Sequence, residues 1–217
     1  MPPDEIFTLL LPATPEDSLW ATLLAAGRDL SGAVRLVVLR GEAADFFDGT
    51  GSSGTPTADE AVVNDALRWL RRPDLITVAA ITGRATGAGL DVAMACDLRV
   101  VADDAELAPS TSDPERGAGV IVDTVARIGD LLGYPRALEF LTTGRSLSGA
   151  QAGVLGLANL AVDRTEFDAA VAELATKVLS TPRITVTMAK AVLAASDARH
   201  RHNVDELTAG LRLMGES

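Results

Sequence analysis

A carboxylate and a set of unpaired backbone donors fall close together in the run Thr82 to Asp91, TGRATGAGLD. Gly83, Gly87 and Gly89 permit backbone torsions and close approaches that a Cβ would obstruct. From about Ala88 the pattern turns helical, through Leu90, Val92, Ala93 and Ala95. The first turn of a helix carries N–H groups with no partner inside it, and such a terminus stabilises negative charge on a bound group. Asp91 stands one turn inside the same start, so a carboxylate and an anion-stabilising backbone share one pocket. That combination suits a reaction passing through an oxyanion, with a side chain at hand to move a proton.

Those residues need a rigid strand before them and a core behind them. Leu75, Ile76, Val78, Ala79, Ala80 and Ile81 form a nearly continuous apolar run, rich in β-branched residues, which predicts a strand buried on both faces. Upstream, Ile6 to Leu11 reads as a first strand ended by Pro12. Thr14 and Pro15 then give a cap and a first helical position, and Leu19, Leu23 and Leu24 supply the apolar face of a helix to about Leu30. Val34 to Leu39 predicts the next buried strand, followed by a loop dense in Gly, Ser and Thr. Thr57 and Glu60 make a capping-box pattern for a helix through Ala61, Leu67 and Leu70, which Pro73 stops.

Downstream, Leu98 to Val101 predicts another strand, and Ala102 to Gly119 an irregular polar connection. Val120 to Leu132 and Pro135 to Thr142 read as helices, with Gly144 stopping the second. The remainder is expected to be helical, with capping boxes at Ser148/Gln151 and Thr165/Asp168 and a cap-then-proline start at Thr181-Pro182. The expected architecture is α/β at the front and all-helical at the back: residues 1–145 as core and 146–217 as a C-terminal helical region of the same domain.

With 217 residues, of which 47% are apolar, the chain can bury a full core as one domain. A formal charge of −11 argues against a nucleic-acid partner. The N-terminus has no basic stretch and breaks its apolar run with Pro12, so neither signal peptide nor membrane span is expected, and the cytoplasm is the expected compartment. One cysteine, Cys96, in an apolar helix predicts a buried small hydrophobe and no disulfide. Two histidines, His200 and His202, read as a solvated helix end, so no metal site is expected.

Thr82-Gly83-Arg84-Ala85-Thr86-Gly87-Ala88-Gly89 also matches TGxxxGxG, a dinucleotide loop. That reading requires a catalytic Tyr with a Lys four residues on. The single tyrosine, Tyr134, has Leu138 there, and the loop follows a late strand instead of the first.

The run Ile81 to Val101, ITGRATGAGLDVAMACDLRVV, resembles the crotonase superfamily of enoyl-CoA hydratases and isomerases. Val37-Val38-Leu39-Arg40-Gly41 followed by Phe46, Phe47 and Gly49 is similar to a second motif of that family. Gly133 to Gly156 is similar to a third, and Lys190 fits its helical tail. The likeness extends from about Val34 to Leu193. It implies a crotonase (ClpP/crotonase-like) ββα-superhelix core with a C-terminal trimerisation region. It further implies an acyl-CoA thioester as ligand, no separate cofactor, and a homotrimer or dimer of trimers. Val171, Leu174, Val178, Leu193, Leu207 and Leu211 are candidates for the contact between copies.

By that resemblance the backbone N–H groups of Thr50 and Ala88 would hold the thioester oxygen, with Phe47, Gly49, Gly87, Gly89 and Thr111 around the substrate. Asp91 takes the first carboxylate position, one methylene and about 1.5 Å shorter than the family's glutamate. The second position falls in PSTSDPERG, where Asp113 and Glu115 rank equal and Thr111 behind them. The implied activity is that of an enoyl-CoA hydratase or isomerase, with hydration of a 2-enoyl-CoA the favoured reaction. The alternative is a non-catalytic or specialised acyl-CoA binder on the same fold.

Overall fold

The computed structural model describes residues 3–13, 16–49, 60–109 and 122–195. Three times in succession a long strand is followed by a short one and then a helix, and the strands collect into two sheets. The long strands are β1 (Ile6–Leu11), β2 (Leu36–Gly41), β4 (Ile76–Ile81), β6 (Leu98–Ala102) and β9 (Leu160–Val162). They form a parallel sheet in the order β1-β2-β4-β6-β9. The short strands are β3 (Phe47–Asp48), β5 (Arg84–Thr86), β7 (Glu106–Ala108) and β8 (Leu147–Ser148). They make a second sheet, β3-β5-β7-β8, parallel except where β8 runs antiparallel to β7.

The helices are α1 (Glu16–Asp29), α2 (Glu60–Arg68), α3 (Ala88–Ala95), α4 (Val122–Leu132), α5 (Tyr134–Thr143), α6 (Gly149–Leu155), α7 (Phe167–Ser180) and α8 (183–195). Burial explains the order. Leu36, Val37, Val38 and Leu39 of β2 and Val78, Ala79, Ala80 and Ile81 of β4 are all buried, as a parallel sheet covered on both faces requires. Leu19 and Leu23 of α1 and Leu67 of α2 are buried in the same core. In α5 the apolar stripe ends at Gly144, whose φ of 65° gives the left-handed cap that glycine adopts without strain.

The first strand, the buried central strand and the Ser148/Gln151 capping box stand where expected, the box with both reciprocal bonds made. The second strand runs Leu36–Gly41, two residues later than the apolar run begins. Three expectations are corrected. The glycine stretch is not all loop, because Arg84–Thr86 pairs with β3 on one side and β7 on the other. The connection after β6 is not wholly irregular, since Glu106–Ala108 is a strand; residues 110–121 lie outside the described residues. The back of the chain is not all helical, because β8 and β9 each complete a sheet.

A fourth correction concerns Thr165. Its N–H and hydroxyl both donate to Asp163, and α7 begins beyond it at Phe167 without a side-chain cap. Thr14, Pro15 and Thr57 lie outside the described residues, as do Leu207 and Leu211. Of the other positions read as contacts between copies, Val171 is buried in its own core and Leu174 and Val178 pack against it. Leu193 is exposed on α8, with Ile184, Met188 and Val192.

Cys96 is fully buried at the end of α3. Burial, then the neighbouring Asp97 charge, pushes its thiol up to about 12, against the smaller opposing pull of Arg99, Thr77 and Arg127. The reactive species is the thiolate, and at pH 8 it is a minute fraction of so weak an acid. Ellman's reagent is therefore expected to leave the native protein unlabelled for hours and to titrate one thiol promptly in denaturant. Prompt native labelling would contradict this burial.

Candidate active site

The site is built where β3, β5 and α3 meet. Gly83 has a φ of 58°, and a Cβ there would lie 2.3 Å from Asp45 Oδ1 and 2.5 Å from Ala44 O. The turn before β3 is thus fastened onto the turn before β5: Phe46 N–H donates to Thr82 O at 2.9 Å and Arg84 N–H to Asp45 Oδ1 at 2.8 Å. Pairing then sets Phe47 opposite Ala85 and Asp48 opposite Thr86.

Two further glycines let the backbones close on one another. A Cβ on Gly49 would sit 2.7 Å from Thr86 O and 3.2 Å from Ala88 N. A Cβ on Gly89 would sit 2.4 Å from Phe47 O and 3.0 Å from Phe47 Cβ. The Phe47–Gly49 segment and the start of α3 are therefore in backbone contact, possible only without side chains there. Gly87, with a φ of 53°, bends the chain from β5 into α3, while its N–H is held by Ala108 O at 3.1 Å. Ala88 is the first residue of α3, so its N–H has no partner within the helix. It lies beside Gly49, the residue preceding Thr50.

Side chains lock this junction. Thr86 Oγ1 donates to Asp48 Oδ1 at 2.8 Å and accepts from Gly49 N–H at 3.0 Å. Arg84 Nη1 donates to the other oxygen of Asp48 at 2.8 Å, and its Nε lies 3.4 Å from Glu106 Oε2. Thr86 is almost wholly buried, whereas Arg84 and Asp48 reach the surface in part.

The far end of α3 is held by charge. Arg99, 5% exposed, donates to Leu157 O at 2.6 Å, Cys96 O at 3.1 Å and Ala93 O at 3.4 Å. Arg127 Nη1 donates to Met94 O at 2.9 Å and Cys96 O at 3.3 Å. Ala93, Met94 and Cys96 supply the carbonyls that α3 leaves unpaired at its end, and cations there complement its dipole, while Leu157 O belongs to the turn after α6. Burial lowers the Arg99 pKa from its usual high value. Asp97 Oδ2 accepts from Thr77 N–H at 2.8 Å, Thr77 Oγ1 at 3.1 Å and Lys190 Nζ at 2.7 Å, and Lys190 also donates to Leu75 O. Lys190 thereby ties α8 to the peptide that follows α3.

Of the residues expected at the site, the structure brings together Phe47, Gly49, Gly87, Ala88, Gly89 and Asp91. Asp91 lies in the first turn of α3, partly exposed, with its N–H on Gly87 O. Phe47 is buried, its carbonyl against Gly89. Thr50, Thr111, Asp113 and Glu115 lie outside the described residues. Sequence reading missed Asp48, Thr86, Arg127 and the role of Arg99. For Arg99 the signal was a lone cation before the apolar run Val100-Val101-Ala102, a position that demands partners if buried. A crevice lined by Arg35, Asp74, Ile76 and Arg183 lies at the starts of β2 and β4 and shares no residue with this site, which follows the carboxyl end of β4. Among the described residues no helix is long and apolar enough to cross a membrane.

A spiral of long and short strands, with a helix start packed against a glycine turn, defines a crotonase fold. Known proteins share this fold. The family profile for enoyl-CoA hydratase/isomerase proteins matches residues 25–215, and the chain belongs to that family. It is 47% identical over 92 residues to the mitochondrial enoyl-CoA hydratase domain-containing protein 2 of Bos taurus, covering 42% of this chain and 30% of that protein. It is 30% identical over 162 residues to 4-chlorobenzoyl coenzyme A dehalogenase-1 of an Arthrobacter species, covering 69% and 57%. The matches thus span from under a third to just over half the length of these curated relatives. A Thermobifida fusca YX protein described as an enoyl-CoA hydratase, solved with acetoacetyl-CoA, superposes with a TM-score of 0.75 at 27% identity, over 98% of this chain and 92% of that one.

Proposed function

We propose that the chain binds an acyl-CoA thioester and hydrates a 2-enoyl-CoA through an enolate held by the N–H groups of Ala88 and Thr50. The observation that carries this reading is the backbone contact between Gly49 and the start of α3, with Ala88 N 3.2 Å from the place a Gly49 Cβ would take. In hydration, water oxygen bonds to C3, the C2–C3 π pair moves towards the thioester, and charge gathers on the thioester oxygen. A backbone donor aimed at that charge contributes about 3 kcal/mol. A carboxylate takes the proton from water and a carboxylic acid returns one to C2. Asp91 is one of the two groups, and Asp113 or Glu115 supplies the other. The exposed residues Ile184, Met188, Val192 and Leu193 on α8 support a homo-oligomer as the working form.

The test follows loss of the crotonyl-CoA absorbance, beside a titration with butyryl-CoA, for the wild type and Asp91→Asn. Turnover is expected to fall by about 10²-fold or more in the variant, with butyryl-CoA affinity kept. Equal turnover in both proteins would remove Asp91 from the mechanism. Tight butyryl-CoA binding without turnover in the wild type would instead favour the acyl-CoA binder, a reading to which the short reach of Asp91 lends weight.

A further inference from the structure

The hydrogen-bonded chain Arg84, Asp48, Thr86, Gly49 does more than fasten a turn. An ionised carboxylate accepts and cannot donate, so the Thr86 hydroxyl proton is committed to Asp48 and an oxygen lone pair is left for Gly49 N–H. Arg84 Nη1 donates to the other oxygen of Asp48 at 2.8 Å, so the carboxylate accepts on both oxygens and is held in place for Thr86. Thr86 also belongs by its main chain to the other half of the junction. It ends β5, two residues before Ala88, and its carbonyl oxygen lies 2.7 Å from the place a Gly49 Cβ would occupy. One buried residue therefore grips the Gly49 turn with its side chain and leads into α3 with its backbone.

We infer that Thr86, oriented by Asp48 and Arg84, is a positioning residue that sets the separation between the two backbone donors for the thioester oxygen. The inference rests on the acyl-CoA reading given above. Gly49 precedes one proposed donor, Thr50, and Thr86 leads into the other, Ala88. A hydroxyl of fixed direction holding Gly49 N–H ties the turn that precedes Thr50 to the strand that leads into Ala88 more tightly than van der Waals contact alone would. Donors in such a site act through exact placement, and a displacement of about 1 Å can cost about 10²-fold in rate.

The experiment compares wild type, Thr86→Val, Thr86→Ser and Asp48→Ala. Three quantities are read: the Gly49 amide proton shift in ligand-free protein, the infrared band of crotonyl-CoA labelled with ¹³C at the thioester carbonyl, and kcat against KM. In Thr86→Val the amide proton should move upfield and the carbonyl band should lose much of its shift on binding. Its kcat should fall roughly 10- to 100-fold while KM stays within about threefold. Thr86→Ser restores all three, and Asp48→Ala shows the same split to a smaller degree, which keeps the test decisive should Thr86→Val fold poorly. An undiminished carbonyl shift in both Thr86→Val and Asp48→Ala, or a rise in KM with kcat kept, overturns the inference and leaves the acyl-CoA reading standing. A wild type that does not shift the carbonyl band overturns that reading, and the inference with it.

Discussion

Gly89→Ala is expected to abolish turnover of crotonyl-CoA, by about 10³-fold or more, in a protein that still folds. The added Cβ would meet Phe47 O at 2.4 Å and Phe47 Cβ at 3.0 Å, and neither is the free end of a flexible side chain. The start of α3 and the segment carrying Gly49 must then part, and both proposed donors move off the thioester oxygen together. Loss of a single such donor costs about 10²- to 10³-fold, so displacement of the pair lies at or beyond the upper end. Gly129→Ala is the matched control. Gly129 also lies within a helix, α4, but a Cβ there meets nothing within 4 Å, and alanine is the better helix former. That variant should keep full turnover and gain a few tenths of a kcal/mol of stability. Circular dichroism and initial rates on both proteins settle the matter. An active Gly89→Ala would show that backbone contact at this point does not organise the site.

Arg99→Met is expected to cost about 3–5 kcal/mol of folding stability, because a buried guanidinium that donates to three main-chain carbonyls is removed. The methionine fills much of the space but leaves Leu157 O and Ala93 O without the Arg99 donor, while Cys96 O keeps only Arg127. An unpaired buried carbonyl costs about 1–3 kcal/mol, and the last turn of α3 also loses a complementary cation. Relief from burying a guanidinium offsets part of this, so the lower end of the range is the better guide. For a chain of this length that corresponds to roughly 10 °C in melting temperature. Arg164→Met removes an exposed pair with Asp104 and should cost less than about 1 kcal/mol. Urea unfolding of the two variants side by side would expose the argument as wrong if their losses were equal.

Features that a few consecutive residues encode were readable before the fold was known. The buried strand Ile76–Ile81, the helix starting at Ala88, the stop at Gly144 and the capping box at Ser148 are all local. The second sheet was not readable, because its members are two or three residues long. So short a strand shows no alternation to count; β3 and β7 form because β5 offers an edge on each side, and β8 because β7 does. Likewise β9 forms because β6 leaves a parallel edge open to Leu160–Val162.

At the site, the pairing of the glycine stretch with Phe47-Asp48-Gly49 followed from family likeness, and its physical reason, backbone contact at Gly49 and Gly89, emerged only in three dimensions. The Arg84–Asp48–Thr86 chain had no signal at all. Its partners lie 36 to 38 positions apart and meet through strand pairing. Lys190 was placed in the tail by resemblance, but that it reaches Asp97 could not be read from spacing.

α3 is held at its first turn by glycine contacts and at its last turn by Arg99 and Arg127. Its direction is thus fixed when the chain folds, before any ligand arrives. A helix held at both ends has little room to adjust, so the thioester proposed as its ligand would have to bring its carbonyl to the helix. That carbonyl is common to every acyl-CoA thioester. On the proposed reading recognition would be divided, with the helix selecting for the thioester as a functional group and the surrounding side chains left to distinguish one acyl group, and one fate of its enolate, from another.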